Sequence, residues 1–425
     1  MSMQEKCNTI RNFSVLYKSN KVIGQSTLLL FSTIGVMGCL IIINYFLTRK
    51  LGAERYGEYS LFINIFGVSK VIFNFGFFQS TGRIVALIKE KENCRQIYGA
   101  ALVICIMLDV IMNISIFSFL CIFKGYNFLI PIFIFTIPFN WIFLVQEFLE
   151  LVLQGNNRIT MLSISRLVPR IIFLILVMFF FRFLENVNVT LCLISALSSY
   201  AIVYIFIIFK LSPTYNKIKE SLKVIYDSNK QFGFNIYIGS VFAVGIANLT
   251  GVLISYFVSD TSNVGYYNLS LQLATPLTLV PNILATVLFT KFVYEKKIRI
   301  EYEMLVIGVC LLIAVVLYVL SDTIVFYLYG EEFMYAAKLL NYLIVGSLLY
   351  GIANFYNRFL LAKGRGRELR NASFIVGFIL LFSNIFLIKQ YGVSGAAYSY
   401  ILAGLANCLC VLYYYRSLIK TYETC

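Results

Sequence analysis

Nine stretches of this chain run for 18 to 30 residues without a single charged side chain, the first at 22–48 and the last at 390–415. The others are 125–146, 187–209, 231–259, 261–290, 304–321, 339–357 and 371–388. Each is long enough to cross a hydrocarbon core as a helix. Three further apolar stretches are interrupted, at about 58–82 by Lys70, at 96–121 by Asp109, and at 162–181 by Arg166 and Arg170. With 60% hydrophobic and 13% charged residues, the chain has too little polar surface to coat a water-soluble domain. The expectation is an all-α integral membrane protein of twelve transmembrane helices in two six-helix lobes around a central cavity.

Orientation follows from the basic residues, because short loops rich in Lys and Arg stay in the cytoplasm. With twelve helices, 27 of the 35 Lys and Arg fall on the face that holds both termini, including Lys6, Arg11, Lys18 and Lys21 before the first span. The opposite face holds Arg49, Lys50, Arg55, Lys124, Arg182, Lys338 and Lys389, balanced by seven acids. Both termini are therefore expected in the cytoplasm. The net charge of +15 lies on the inner side and reads as topology and contact with anionic lipid, so no nucleic acid is expected. The polar first 21 residues and the 27-residue span after them do not resemble a cleaved signal.

Several chemistries are excluded early. The chain has no histidine, which removes imidazole metal sites and His-based catalysis. Its ten cysteines include no Cys-x-x-Cys pair and sit mostly within spans, as buried free thiols would. The Gly364-Arg365-Gly366 turn lacks phosphate-cradling spacing, so no cofactor or nucleotide is expected. Uphill work would draw on an ion gradient, the membrane potential or product removal.

The longest connection on the basic face, 210–230, splits the chain into a first lobe at 1–209 and a second at 231–425. An equal split suggests duplication, with a substrate cavity between the lobes. Internal similarity is faint: Gly57, Tyr59 and Leu61 match Gly265, Tyr267 and Leu269 at an offset of 208.

Three turns carry a resemblance. After the first span the chain runs Arg49-Lys50-Leu51-Gly52-Ala53-Glu54-Arg55-Tyr56-Gly57-Glu58-Tyr59-Ser60-Leu61. Leu328-Tyr329-Gly330-Glu331-Glu332-Phe333, with Ala336 and Leu339, follows the ninth helix, and Tyr391-Gly392-Val393-Ser394-Gly395-Ala396-Ala397 opens the twelfth. Together they resemble Wzx-type O-antigen or capsule repeat-unit flippases of the multidrug/oligosaccharidyl-lipid/polysaccharide exporter superfamily. The resemblance implies movement of undecaprenyl-pyrophosphate-linked oligosaccharide from the cytoplasmic to the periplasmic leaflet by alternating access, in lipopolysaccharide or capsule biosynthesis. The partners it implies are that substrate, membrane lipids and other membrane proteins of polysaccharide assembly. The motifs themselves are turn chemistry, with Gly52 and Gly57 placed to reverse the chain.

Charges inside the bilayer cost at least about 2.5–3.5 kcal/mol on insertion scales, so those retained face a cavity or a partner. Lys70 and Asp109, counted along uninterrupted antiparallel helices, reach nearly the same depth. They read either as an ion pair locking a hairpin or as a midplane anion contact at Lys70 with ion coupling at Asp109. Arg166 and Arg170 share one helix face by their i,i+4 spacing. They read either as partners of Glu147 and Glu150 or headgroups, or as forks for a pyrophosphate. Arg83, Lys291 and Arg358 close helices on the basic face, as topogenic residues or as an entry site for a lipid phosphate. Among uncharged residues, Asn235, Asn248, Tyr256, Asn268 and Asn354 are candidates to line a sugar path.

Two rivals are weighed against this reading. A cation-coupled drug antiporter of the same superfamily would want deep acids, of which Asp109 is the one near the midplane. A membrane glycan polymerase would want a long outer loop and paired carboxylates for its chemistry, and neither is present.

Overall fold

The structure is a computed structural model that describes residues 3–88 and 90–424, with side chains from Thr27 onwards apart from Thr290, Glu423 and Thr424. The side chains of Lys6, Arg11, Lys18 and Lys21 lie outside the described residues. Among the described residues every regular element is helical. In chain order these are α1 (Met3–Ile72), α2 (Phe77–Leu87), α3 (Lys91–Ile122), α4 (Ile130–Thr136), α5 (Ile142–Gly155), α6 (Ile159–Phe183), α7 (Val189–Leu211) and α8 (Ile218–Ser228). There follow α9 (Phe234–Ser240), α10 (Ile246–Phe257), α11 (Ser262–Leu273), α12 (Pro276–Tyr294), α13 (Ile300–Tyr329), α14 (Met334–Ala362), α15 (Gly366–Tyr391) and α16 (Val393–Thr424).

Ten of these helical runs are long and apolar enough to cross a membrane, or eleven when the segments Lys124–Phe139 and Ile142–Gly155, bent by 45°, count as one. The expected twelve is therefore not reproduced by length and composition. The difference lies in Thr27–Ile72, a run of 46 residues. At 1.5 Å per residue it would extend about 69 Å, more than twice the hydrocarbon thickness. Its continuity is interrupted at Gly52, whose φ of 73° and ψ of 175° are not helical. Only glycine takes that backbone conformation cheaply.

What holds Gly52 is a tertiary contact. The backbone N–H of Ala53 donates to Glu332 Oε1 at 2.8 Å, so a carboxylate from a distant turn caps the new helical segment. Arg49 donates through Nη2 to the carbonyl of Tyr327 at 3.1 Å, and the Tyr56 ring meets Phe333 edge-on at 5.8 Å. Two of the turn motifs are thus halves of one junction. The third touches its neighbour through Tyr335 and Ser394, whose hydroxyl oxygens are 3.2 Å apart.

The faint internal repeat also meets in space. A Cβ on Gly57 would lie 2.1 Å from the carbonyl oxygen of Thr261, and one on Gly265 would lie 3.2 Å from the backbone nitrogen of Gly57. Leu61 and Leu269, the matched pair, are both fully buried. Small residues allow such backbone approach where no hydrophobic force drives helices together. At the other end of this seam, Asn229 donates to the carbonyl of Phe75 at 3.1 Å and Tyr237 to that of Ile72 at 2.9 Å. Residues 210–230 are not a free connection. Here α8 lays Ser221 and Ile225 against α2 and α3, then continues through π-helical turns Asn229–Gly233 and Val241–Gly245 into α10.

Candidate functional site

Four ion pairs occur among the described side chains, and Lys70–Asp109 is not one of them. The pairing inferred from equal depth assumed an unbroken helix, but the chain breaks after Ile72, with Phe75 and Gly76 both at positive φ. Lys70 consequently sits in the last turn of α1, where the carbonyl end of a helix favours a cation. Its acidic neighbour is Glu147 on α5, which lies within electrostatic reach of both Lys70 and Glu150. Asp109 stands elsewhere on α3. Its Oδ1 is buried without a partner, and Asn113 bridges between its backbone carbonyl and the side chain of Asn140.

Glu150 connects this group to α6. Its carboxylate pairs with the guanidinium of Arg166, with both side chains about one-third exposed. One turn on, past Pro169, Arg170 donates through Nε to the Tyr200 hydroxyl at 3.2 Å. The Tyr200 and Tyr204 rings meet at 5.6 Å, and Tyr204 feels both arginines and Glu150. The structure thus gathers Lys70, Arg166 and Arg170 around two glutamates on one partly buried patch of the N-terminal half. Three cations against two carboxylates leave one positive charge in excess. Such a patch suits a doubly charged phosphate group, whose oxygens would compete with Glu150 for the Arg166 fork.

The remaining predicted residues have other partners. Arg83 does not close its helix but is exposed within α2, before the last turn, its guanidinium 4.2 Å from the centre of the Phe232 ring at the Asn229–Gly233 turn. Lys291 on α12 donates to the Tyr302 hydroxyl at 3.2 Å. Arg358 on α14 donates through Nε to Asn282 Oδ1 at 2.9 Å. Of the uncharged candidates, Asn235 and Tyr256 are exposed, Asn268 is half-buried on α11, and Asn248 packs against Gly67.

Asn354 belongs to a feature that hydropathy did not reveal. In the C-terminal half a cavity of about 470 Å³ is lined by residues of α10, α11, α12, α14, α15 and α16, with the Val241–Gly245 turn and Thr275 at the break between α11 and α12. Its walls bear no Lys, Arg, Asp or Glu. Asn357, one turn from Asn354, and Asn407 on α16 also line it. The hint available in the sequence was the i,i+3 spacing of Asn354 and Asn357; nothing placed Asn407 opposite them.

The comparisons with known proteins agree with this architecture. The sequence profile of a family described as polysaccharide biosynthesis protein matches residues 23–294, more than half of the chain. No curated protein matches it significantly. Among solved structures, the lipid II flippase MurJ in its inward closed conformation aligns at a TM-score of 0.72 and 16% identity, over 92% of this chain and 87% of that one. An inward-facing multidrug resistance MATE transporter of the MOP superfamily aligns at 0.70 and 12% identity, covering 90% and 95%. The MATE multidrug transporter DinF-BH aligns at 0.65 and 15%, covering 92% and 94%. At such identities these likenesses establish the fold, a multi-pass helical fold shared with MurJ and MATE transporters, while the profile match establishes the lineage: the chain belongs to the polysaccharide biosynthesis protein family.

Proposed function

We propose that the chain is a Wzx-type flippase that moves undecaprenyl-pyrophosphate-linked oligosaccharide repeat units from the cytoplasmic to the periplasmic leaflet of an inner membrane. The observation that carries this reading is the convergence of Lys70 from α1 with Arg166 and Arg170 from α6 on one patch, in a chain of the polysaccharide biosynthesis family. In this reading lobes 1–209 and 231–425 rock about the glycine seam, both termini are cytoplasmic, and 210–230 spans between the lobes on that side. The pyrophosphate takes the Arg166 and Arg170 forks and Lys70, displacing Glu150. Arg83, Lys291 and Arg358 guide the lipid phosphate at entry, and Asp109 serves ion coupling. No step calls for a catalytic group.

The test is genetic and biochemical. Deleting the gene should leave lipid-linked repeat units in the cytoplasmic leaflet. Arg166→Lys and Arg170→Lys should lose part of the flux and the Ala variants nearly all of it, at unchanged protein abundance, because lysine keeps the charge and loses the fork. If the Ala variants translocate normally, the patch is not the phosphate site. The antiporter reading predicts the reverse pattern: Arg→Ala spares export of a cationic dye and Asp109→Asn abolishes it.

A further inference from the structure

The cavity in the C-terminal half carries no charge on its walls, yet it is not apolar. Thr275, Thr278 and Ser373 have already committed their hydroxyl protons to backbone carbonyls three or four residues before them. The amides of Asn354, Asn357 and Asn407 find no hydrogen-bond partner among the described residues, although Asn407 is only 8% exposed. Each amide offers two donors and one acceptor with two lone pairs. None of the three is among the fully buried polar atoms left unpaired, so the amides open onto the cavity, where the polar groups of a ligand can meet them.

Beside these amides stand two rings. Tyr350 on α14 and Tyr400 on α16 meet with centroids 4.9 Å apart and planes inclined at 34°. Glycine brings their helices together: a Cβ on Gly404 would lie 2.9 Å from the carbonyl oxygen of Gly346 and 3.3 Å from the Tyr350 ring. The far wall is irregular backbone. The π-helical turn Val241–Gly245 supplies Phe242, and the interruption before Pro276 supplies Thr275. Insertions of this kind recur where helices are shaped around a ligand.

We propose that this cavity is a binding site for an uncharged sugar ring of the translocated glycan, a reading that rests on the flippase assignment above. At about 470 Å³ it falls within the range of pockets for organic ligands. Amides pair with ring hydroxyls in either direction, and the tyrosine faces accept the apolar C–H face of a pyranose. A hard cation is disfavoured because it seeks carboxylates and closely spaced oxygens, and none of the lining residues is acidic. An acyl chain is disfavoured because it would leave three amides unpaired. The sugar and the pyrophosphate are thereby recognised by chemically distinct places, a neutral cavity in one half and a basic patch in the other.

The test uses the full chain in lipid nanodiscs and saturation-transfer NMR, which detects weak binding, with methyl glycosides of common hexoses and N-acetylhexosamines as probes and NaCl as the cation control. At least one glycoside should receive transfer from the protein, and Asn357→Leu and Asn407→Leu should each weaken it about tenfold, the worth of one hydrogen-bonded group. Gly308→Ala, where an added Cβ meets nothing within 4 Å and which lies outside the cavity, should bind the glycoside as the parent does. Should Asn407→Leu fail to fold, Asn354→Leu at a partly exposed position takes its place. The proposal is overturned if no glycoside in the panel shows transfer that depends on these asparagines, or if Na⁺ alone raises the melting temperature in an Asn407-dependent way. Asparagine-dependent glycoside binding with no accumulation of lipid-linked glycan in the deletion strain would keep the cavity and remove the flippase reading.

Discussion

Gly57 is where a single methyl group tests the packing of the two halves. In Gly57→Ala the added carbon would stand 2.1 Å from the Thr261 carbonyl oxygen, 2.4 Å from its carbon and 2.9 Å from the Ser262 nitrogen. All three are backbone atoms, so no rotamer change relieves the clash. Restoring a C···O contact of about 3.3 Å requires the segments to part by about 1.2 Å, which also stretches the bond from Thr261 Oγ1 to the Glu54 carbonyl, already 3.3 Å long. Overpacking of this kind costs roughly 1–3 kcal/mol. If the seam closes in this conformation and opens in another, the same energy shifts the conformational ratio about 5- to 150-fold toward the open form. Spin labels at Glu58 and Asn263 on the two sides of the seam, read by pulsed EPR in liposomes, should show a longer-distance population grow in Gly57→Ala. Gly308→Ala, where a Cβ meets nothing within 4 Å, should leave the distribution unchanged. An unaltered distribution and melting temperature in Gly57→Ala would refute the close approach.

Three further outcomes are expected. Reporter fusions at Tyr215 and Glu331 should lie on opposite sides of the membrane; the same side for both would break the topology derived from the basic residues. Lys70→Ala and Glu147→Gln should each lower transport or yield, and the double variant should recover part of the loss, whereas Lys70→Ala with Asp109→Ala should be additive; coupling to Asp109 instead of Glu147 would contradict the observed neighbours. Asn384→Ala removes a fully buried bond from Nδ2 to Thr250 Oγ1 at 2.8 Å and should lower stability by about 0.6–1.7 kcal/mol in thermal unfolding, with no change meaning that the bond is not formed.

The apolar runs alone set the class of this protein, because a stretch such as 261–290 has nowhere stable to go but a hydrocarbon interior, and hydropathy is a property of local sequence. The i,i+4 spacing of Arg166 and Arg170 is likewise local, and helical periodicity alone puts both on one face. Which partners those residues meet was a tertiary matter. Lys70 and Asp109 stand level only along a straight helix; the chain breaks at Phe75 and Gly76, and the acid within electrostatic reach of Lys70 is Glu147. The three turn motifs read as separate reversals until the fold placed Ala53 against Glu332 and Arg49 against Tyr327. Asn407 lies 50 residues beyond Asn357, and only the rotation and crossing of α14 and α16 direct both amides into one cavity. Sequence specifies how far each residue prefers to be from water; the tilt, rotation and close approach of helices, set by small residues and backbone breaks, decide which polar groups face one another.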